Sequence, residues 1–207
     1  MSNTTGSKIV VIFKRFERFW HWAQALMILI LLLTGLEMHG LFQLFGFASA
    51  VQTHNITGFV WSGLLVLIYT WILTTGEWQQ YFPTLKGVEG TLRFYLWGVF
   101  KGEKHPHHMT PEDKFNPLQR LGYVFILFVL LIVQVISGFA FYFFADLRAA
   151  GIIGHVDLIA IVHTLNAYAL LSFVVIHLYM ITFGEKLTTH IKAMLTGKEE
   201  INTDKAE

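Results

Sequence analysis

The chain holds ten histidines and no cysteine, and four of the histidines fall within its most apolar stretches. "IVHTLNAYALLSFVVIHLYM" carries His163 and His177, 14 residues apart; His21 stands in "FERFWHWAQALMILILLLTG", and His54 opens a third stretch. A 14-residue helical step rises ~21 Å and returns within about 40° of the same face. His163 and His177 are therefore expected on one side of one helix, at opposite ends. Neutral imidazole is a common metal ligand. An ionisable side chain inside a bilayer is costly and turns toward the bundle interior and a partner. The plainer alternative is that each ring is simply buried and hydrogen-bonded to backbone or to Ser/Thr.

The elements that must position these rings are membrane helices. The chain has 207 residues, 54% hydrophobic and 15% aromatic, with 14% charged and a mean hydropathy of +0.53. An ordinary globular domain has about 25% charged residues. The apolar residues gather into four runs, about 19–36, 56–75, 121–144 and 158–183. Each is near or above the ~18–20 residues that cross a ~30 Å hydrocarbon core. The expected fold is all-α: a four-transmembrane-helix bundle in a single membrane-embedded domain, residues 1–207. Ala48-Ser49-Ala50 resembles a signal cleavage site, but the first run exceeds an h-region of about 7–15 residues and stands eleven residues from it. It is expected to remain as a helix.

Without cysteine there is no disulfide, no cysteine-ligated iron–sulfur cluster and no covalent haem attachment. Any redox group is held non-covalently.

Basic residues give an orientation. Of fifteen Lys and Arg, only Arg148 lies outside the N-terminal segment, the loop between the second and third runs, and the C-terminal tail. The positive-inside rule makes those three regions cytoplasmic and turns 37–55 and 145–157 outward. Both termini are then cytoplasmic. The net charge of +1 conceals this polarity, and topology explains the basic residues without any nucleic-acid partner.

This orientation sorts the four histidines by depth. His21 and His177 share the cytoplasmic level; His54 and His163 share the outer one. The third run has no histidine, and the pairing needs none. Two imidazoles without carboxylate or thiolate companions make a poor zinc site. They suit haem, whose porphyrin supplies four nitrogens and leaves two axial positions. Gly35, Gly58, Gly63 and Gly138 let a flat macrocycle approach backbone, or else serve close helix packing. Arg15 and Arg18 serve topology, with haem propionates as a lesser alternative. His39 is a lesser candidate for the role of His54. His155 is read as solvated, the "HPHH" stretch (His105 to His108) as solvated with a stray transition metal as the lesser alternative, and His190 is placed in the cytoplasmic tail. "GTLRFYLWGVFKG" and "KLTTHIKAMLTGKEE" are read as interfacial helices on the cytoplasmic face. No internal repeat stands out.

The first-helix motif, the histidine of the second helix and the fourth-helix motif resemble the cytochrome b (gamma) subunit of membrane-bound respiratory formate dehydrogenases. Cytochromes of thiosulfate reductases and nickel–iron hydrogenases are similar too. "KFNPLQ" and "HIKAMLTGK" extend the resemblance over about 14–198. It implies two haem b groups, one held by His21 and His177 and the other by His54 and His163. It implies menaquinone or ubiquinone beside the cytoplasmic haem, near Asn116 and Gln119, whose alternative role is an Asn-Pro turn. It further implies an Fe–S electron-transfer subunit and a catalytic subunit on the outer face of a bacterial inner membrane, in complexes that can form trimers. The chain would then be the electron-transfer part of an oxidoreductase and would not carry the substrate's active site. The resemblance implies electron flow from the outer Fe–S subunit through the His54/His163 haem and the His21/His177 haem to quinone, or the opposite flow, from quinol, in members that serve a reductase.

A rival of another class is a proton-coupled transporter with a histidine relay. No Asp, Glu, Lys or Arg deep in a helix, no inverted repeat and no broken helix speaks for it. A plain membrane anchor leaves the depth-matched histidines unexplained.

Overall fold

The computed structural model describes residues 7–103, 106, 107, 110, 111, 113–182 and 188–202. In order come β1 (Ser7–Val11), α1 (Arg15–Met38), α2 (Phe47–Thr75), α3 (Val88–Arg93), α4 (Pro117–Phe125), α5 (Leu131–Tyr142), α6 (Phe144–Ala149), α7 (Val156–Met180), α8 (Thr189–Thr196) and β2 (Lys198–Asn202). A π turn over Ile126–Leu130 joins α4 to α5. Among the described residues four helices are long and apolar enough to cross a membrane: α1, α2, the continuous Pro117–Tyr142, and α7, of 24, 29, 26 and 25 residues.

The second span departs most from expectation. It begins at Phe47, nine residues before the apolar run at 56, so His54 lies two turns inside α2 instead of opening it. The added turns read Phe-Ala-Ser-Ala-Val-Gln-Thr, small and polar enough to escape a hydropathy count. Gly46, at φ 83°, marks the new start. The two segments expected as interfacial helices are helical, as α3 with the turns that follow it and as α8.

The chain divides into two compact units. One holds residues 20–78 and 122–175. Its best-buried stripe is on α2, where Trp61, Leu65, Ile68 and Ile72 recur at helical spacing. Phe59 packs on Phe139 and Tyr142 of α5, with ring centroids 5.2 and 5.1 Å apart. Trp20 Nε1 donates to the Leu64 carbonyl at 3.0 Å, tying α1 to α2. Large apolar side chains on α1 and α7, such as Leu26, Leu29, Leu165 and Val175, are exposed; in a membrane such surface faces lipid without cost. Glu37, at the end of α1, is buried and closes the α1–α2 loop by accepting the backbone N–H groups of Leu44, Phe45 and Gly46 at 2.8–2.9 Å.

The other unit holds residues 1–19, 79–121 and 176–207. It contains a feature outside the all-α expectation: β1 pairs antiparallel with β2, from Ser7↔Asn202 to Val11↔Lys198. The strands are five residues each and come from opposite ends of the chain, too short and too distant to register as a pattern. Ile12, Phe13 and Ala193 form a small core beside them. Gly197, at φ 80°, ends α8 and receives the N–H of Ile12 at 2.8 Å. A Cβ there would lie 2.6 Å from the Phe13 carbonyl oxygen, so the turn requires glycine.

Candidate functional site: a histidine pair backed by helix hydroxyls

Within the first unit, His54 of α2 and His163 of α7 lie together, ring centroids 6.2 Å apart and planes at 73°. Each ring meets a hydroxyl on a different span. His54 Nδ1 is 2.9 Å from Thr34 Oγ1 of α1. His163 Nδ1 is 3.0 Å from Ser137 Oγ of α5. Both rings are half-buried and bonded to Ser or Thr, so the hydrogen-bonding part of the plain reading is met at each. It is compatible with ligation, because the hydroxyl meets Nδ1 in each case; at His163 the second nitrogen faces the Gln134 amide, which iron would displace.

Beside each hydroxyl is a glycine. A Cβ on Gly35 would touch His54 Cε1 at 3.6 Å, and one on Gly138 would press His163 Cε1 at 3.2 Å. The step Thr34-Gly35 on α1 thus serves His54, and Ser137-Gly138 on α5 serves His163. This local repeat links two helix pairs that show no overall repeat. Gly58 and Gly63 have open space at their Cβ positions and line no ring.

His163 has one more support. Its Nε2 is 3.1 Å from Gln134 Nε2. Gln134 Oε1 accepts from Asn166 Nδ2 at 2.7 Å, and Asn166 Nδ2 also reaches the Leu130 carbonyl at 2.8 Å. Leu130 closes the π turn, and Tyr69 OH donates to the carbonyl of Leu127 in the same turn. A π turn leaves carbonyls available to side chains, and such turns recur at functional sites. The third span therefore supplies no histidine but shapes the surroundings of one. Thr34, Ser137, Gln134 and Asn166 are absent from the sequence reading. The one local signal is the hydroxyl–glycine step, which marks Thr34 and Ser137 but neither Gln134 nor Asn166.

The other expected residues are placed as follows. His21, on α1, is half-buried with Trp22 edge-on at 5.2 Å. His177, on α7, is half-buried and belongs to the other unit. His39 is exposed, with Nε2 3.4 Å from Thr164 Oγ1. His155 is exposed, His107 and His190 are half-buried, and His105 and His108 lie outside the described residues.

Asn116 and Gln119 form a reciprocal cap on α4. Gln119 N–H donates to Asn116 Oδ1 at 2.8 Å, and Asn116 N–H donates to Gln119 Oε1 at 3.0 Å. Asn116 Nδ2 also reaches Tyr95 OH at 3.3 Å, and both residues are buried. Burial pushes the Tyr95 phenol above its ordinary value, with the Asn116 bond opposing, so it stays neutral at physiological pH. Two residues earlier, Lys114 forms a buried ion pair with Glu17 at 2.7 Å.

The donor set fits haem iron. Among the described residues no three His, Asp or Glu side chains converge as a metal site, so a metal held by the protein alone is not what these rings suit. The 6.2 Å between the ring centroids is of the order required by a metal bound to one nitrogen of each ring at about 2.0 Å. The glycine beside each ring keeps free a space that a Cβ would fill.

Residues 12–197 match the family model of prokaryotic cytochrome b561. The chain is also 29% identical over 210 residues to the Escherichia coli (strain K12) protein "Putative cytochrome YdhU", covering 95% of this chain and 77% of that one. The family match takes in all four spans and all four histidines of the depth pairing. The chain belongs to the prokaryotic cytochrome b561 family, and is a membrane b-type cytochrome that takes haem b and transfers electrons.

Proposed function

We propose that this cytochrome is the membrane electron-transfer subunit of a respiratory oxidoreductase, most closely a formate dehydrogenase. The observation that carries the reading is the meeting of His54 and His163, each braced at Nδ1 by a hydroxyl from another span. These two residues would hold one haem b, and His21 with His177 a second. Haem b, when bound, supplies a one-electron couple at its iron.

The chain's residues do the rest. The imidazoles orient the group, the glycines admit it, and the exposed apolar faces of α1 and α7 keep it within the hydrocarbon layer. Basic residues hold the termini and the 76–120 segment at the cytoplasmic surface. Menaquinone or ubiquinone would bind on that side, near Asn116 and Gln119. An Fe–S subunit with its catalytic subunit would dock on the outer side.

The experiment is a reduced-minus-oxidised spectrum of the purified protein. Sharp b-type bands are expected, with His54→Ala and His163→Ala each removing the same half of the haem. Retention of all haem by either variant would rule out the pair as ligands. Reduction of the haem in native membranes by formate supports the dehydrogenase assignment; reduction by hydrogen only would move the chain to the hydrogenase group, and oxidation by thiosulfate to the thiosulfate reductase group.

A further inference from the structure

We infer that Thr34 and Ser137 are matched positioning residues that fix both imidazoles as the Nδ1–H tautomer, leave Nε2 as the acceptor nitrogen that iron would use, and set its potential through a neutral acceptor. The inference rests on the ligand role of His54 and His163 proposed above, and it is carried by the direction of each hydrogen bond.

A hydroxyl has one proton. Thr34 Oγ1 lies 2.7 Å from the Ile30 carbonyl and 3.2 Å from that of Leu31. Carbonyls only accept, so the Thr34 proton is committed along its own helix. Toward His54 its oxygen can then only accept, and the proton in that 2.9 Å bond belongs to His54 Nδ1. Ser137 repeats the pattern: Oγ lies 2.6 Å from the Val133 carbonyl and 3.2 Å from that of Gln134. His163 Nδ1 must therefore donate to it as well.

A second chain of bonds reaches the same tautomer from the other side of His163. Asn166 Nδ2 faces the Leu130 carbonyl, which needs a donor, so the amide orientation of Asn166 is fixed. That nitrogen also faces Gln134 Oε1, which makes the remaining Gln134 atom an N–H donor. It points at His163 Nε2, which accepts with the lone pair that iron would use, so iron binding there would displace the Gln134 N–H. Two independent sets of neighbours thus assign the proton of His163 to Nδ1.

Groups behind a metal-bound histidine fix its tautomer and ring orientation, and raise its basicity. A carboxylate would raise basicity strongly and favour the ferric state. A hydroxyl already donating to a carbonyl is a neutral acceptor and does so less. Its removal should free the ring to rotate and leave a less basic ligand, favouring the ferrous state. Thr34 is fully buried and Ser137 nearly so, which keeps water from replacing the lost oxygen.

The test uses the full chain with haem, in Thr34→Val, Thr34→Ser, Ser137→Ala and His54→Ala. Haem content after growth on limiting haem and the midpoint potential of each haem are measured. Thr34→Val and Ser137→Ala should each weaken haem retention at one site about tenfold or more and raise the potential of the haem that stays there, leaving the other haem unmoved. Thr34→Ser should restore both properties. Unchanged retention and potential in Thr34→Val and Ser137→Ala would overturn the inference, as would equal disturbance by Thr34→Val and Thr34→Ser, which marks packing alone. If His54→Ala retains both haems, the ligand reading itself falls, and that result is distinct from either.

Discussion

Asn116 and Gln119 exchange hydrogen bonds across the first turn of α4, each side chain accepting the other's backbone N–H. A residue proposed to lie near quinone is thus also a helix cap. The two roles separate by substitution. Asn116→Ala should lower stability by about 1 kcal/mol, and Asn116→Ser, which still caps, should recover most of it. A quinone role predicts that both variants slow quinone turnover while retaining both haems. Thermal unfolding in detergent and quinone kinetics on the same preparations check this; normal turnover in both would leave Asn116 with capping alone.

Lys114 and Glu17 pair at 2.7 Å with side chains only 3% and 10% exposed. Removing one partner leaves an uncompensated buried charge. Lys114→Met is therefore expected to destabilise the protein by about 3 kcal/mol. The double change Glu17→Leu with Lys114→Met should be less damaging than the single one. Urea or thermal unfolding of the three proteins measures this.

The two ring-side glycines differ in how much room they have. Gly138→Ala would place a methyl 3.2 Å from His163 and should broaden or shift the haem spectrum. Gly35→Ala places one at ordinary contact, 3.6 Å from His54, and should be tolerated on the protein side. Optical and paramagnetic resonance spectra of the two variants make the comparison. Equal effects would show that the haem, not the histidine, sets the available space.

Glu37 uses Oε1 for three backbone N–H groups and Oε2 for a further bond to Phe45 at 3.1 Å. Glu37→Gln keeps one oxygen and should hold the α1–α2 loop largely in place. Glu37→Ala should release it. Hydrogen exchange at Leu44, Phe45 and Gly46 is expected to rise strongly only in the alanine variant.

These outcomes bear on what a sequence can reveal. That His54 and His163 approach each other was legible, because helical geometry fixes depth and the Lys/Arg asymmetry fixes direction. Thr34 and Ser137 were not. A Ser or Thr in a membrane helix ordinarily bonds its own preceding turn, as both do here, and only the rotation of one helix against the next shows that the oxygen also serves a neighbour. Gln134 and Asn166 were hidden for a related reason: their roles depend on a π turn that no residue preference announces. The start of α2 was misplaced because Ala, Ser and Gln sustain a helix without raising hydropathy. The pairing of β1 with β2 lies beyond local pattern altogether, since the partners stand at opposite ends of the chain.

The most direct measurement is a density map of the haem-loaded protein, read at His54 and His163. The account predicts one iron about 2 Å from the Nε2 atoms of both residues, with Thr34 and Ser137 still bonded to their Nδ1 atoms. An iron held by other side chains, or rings joined to it through Nδ1, would contradict it.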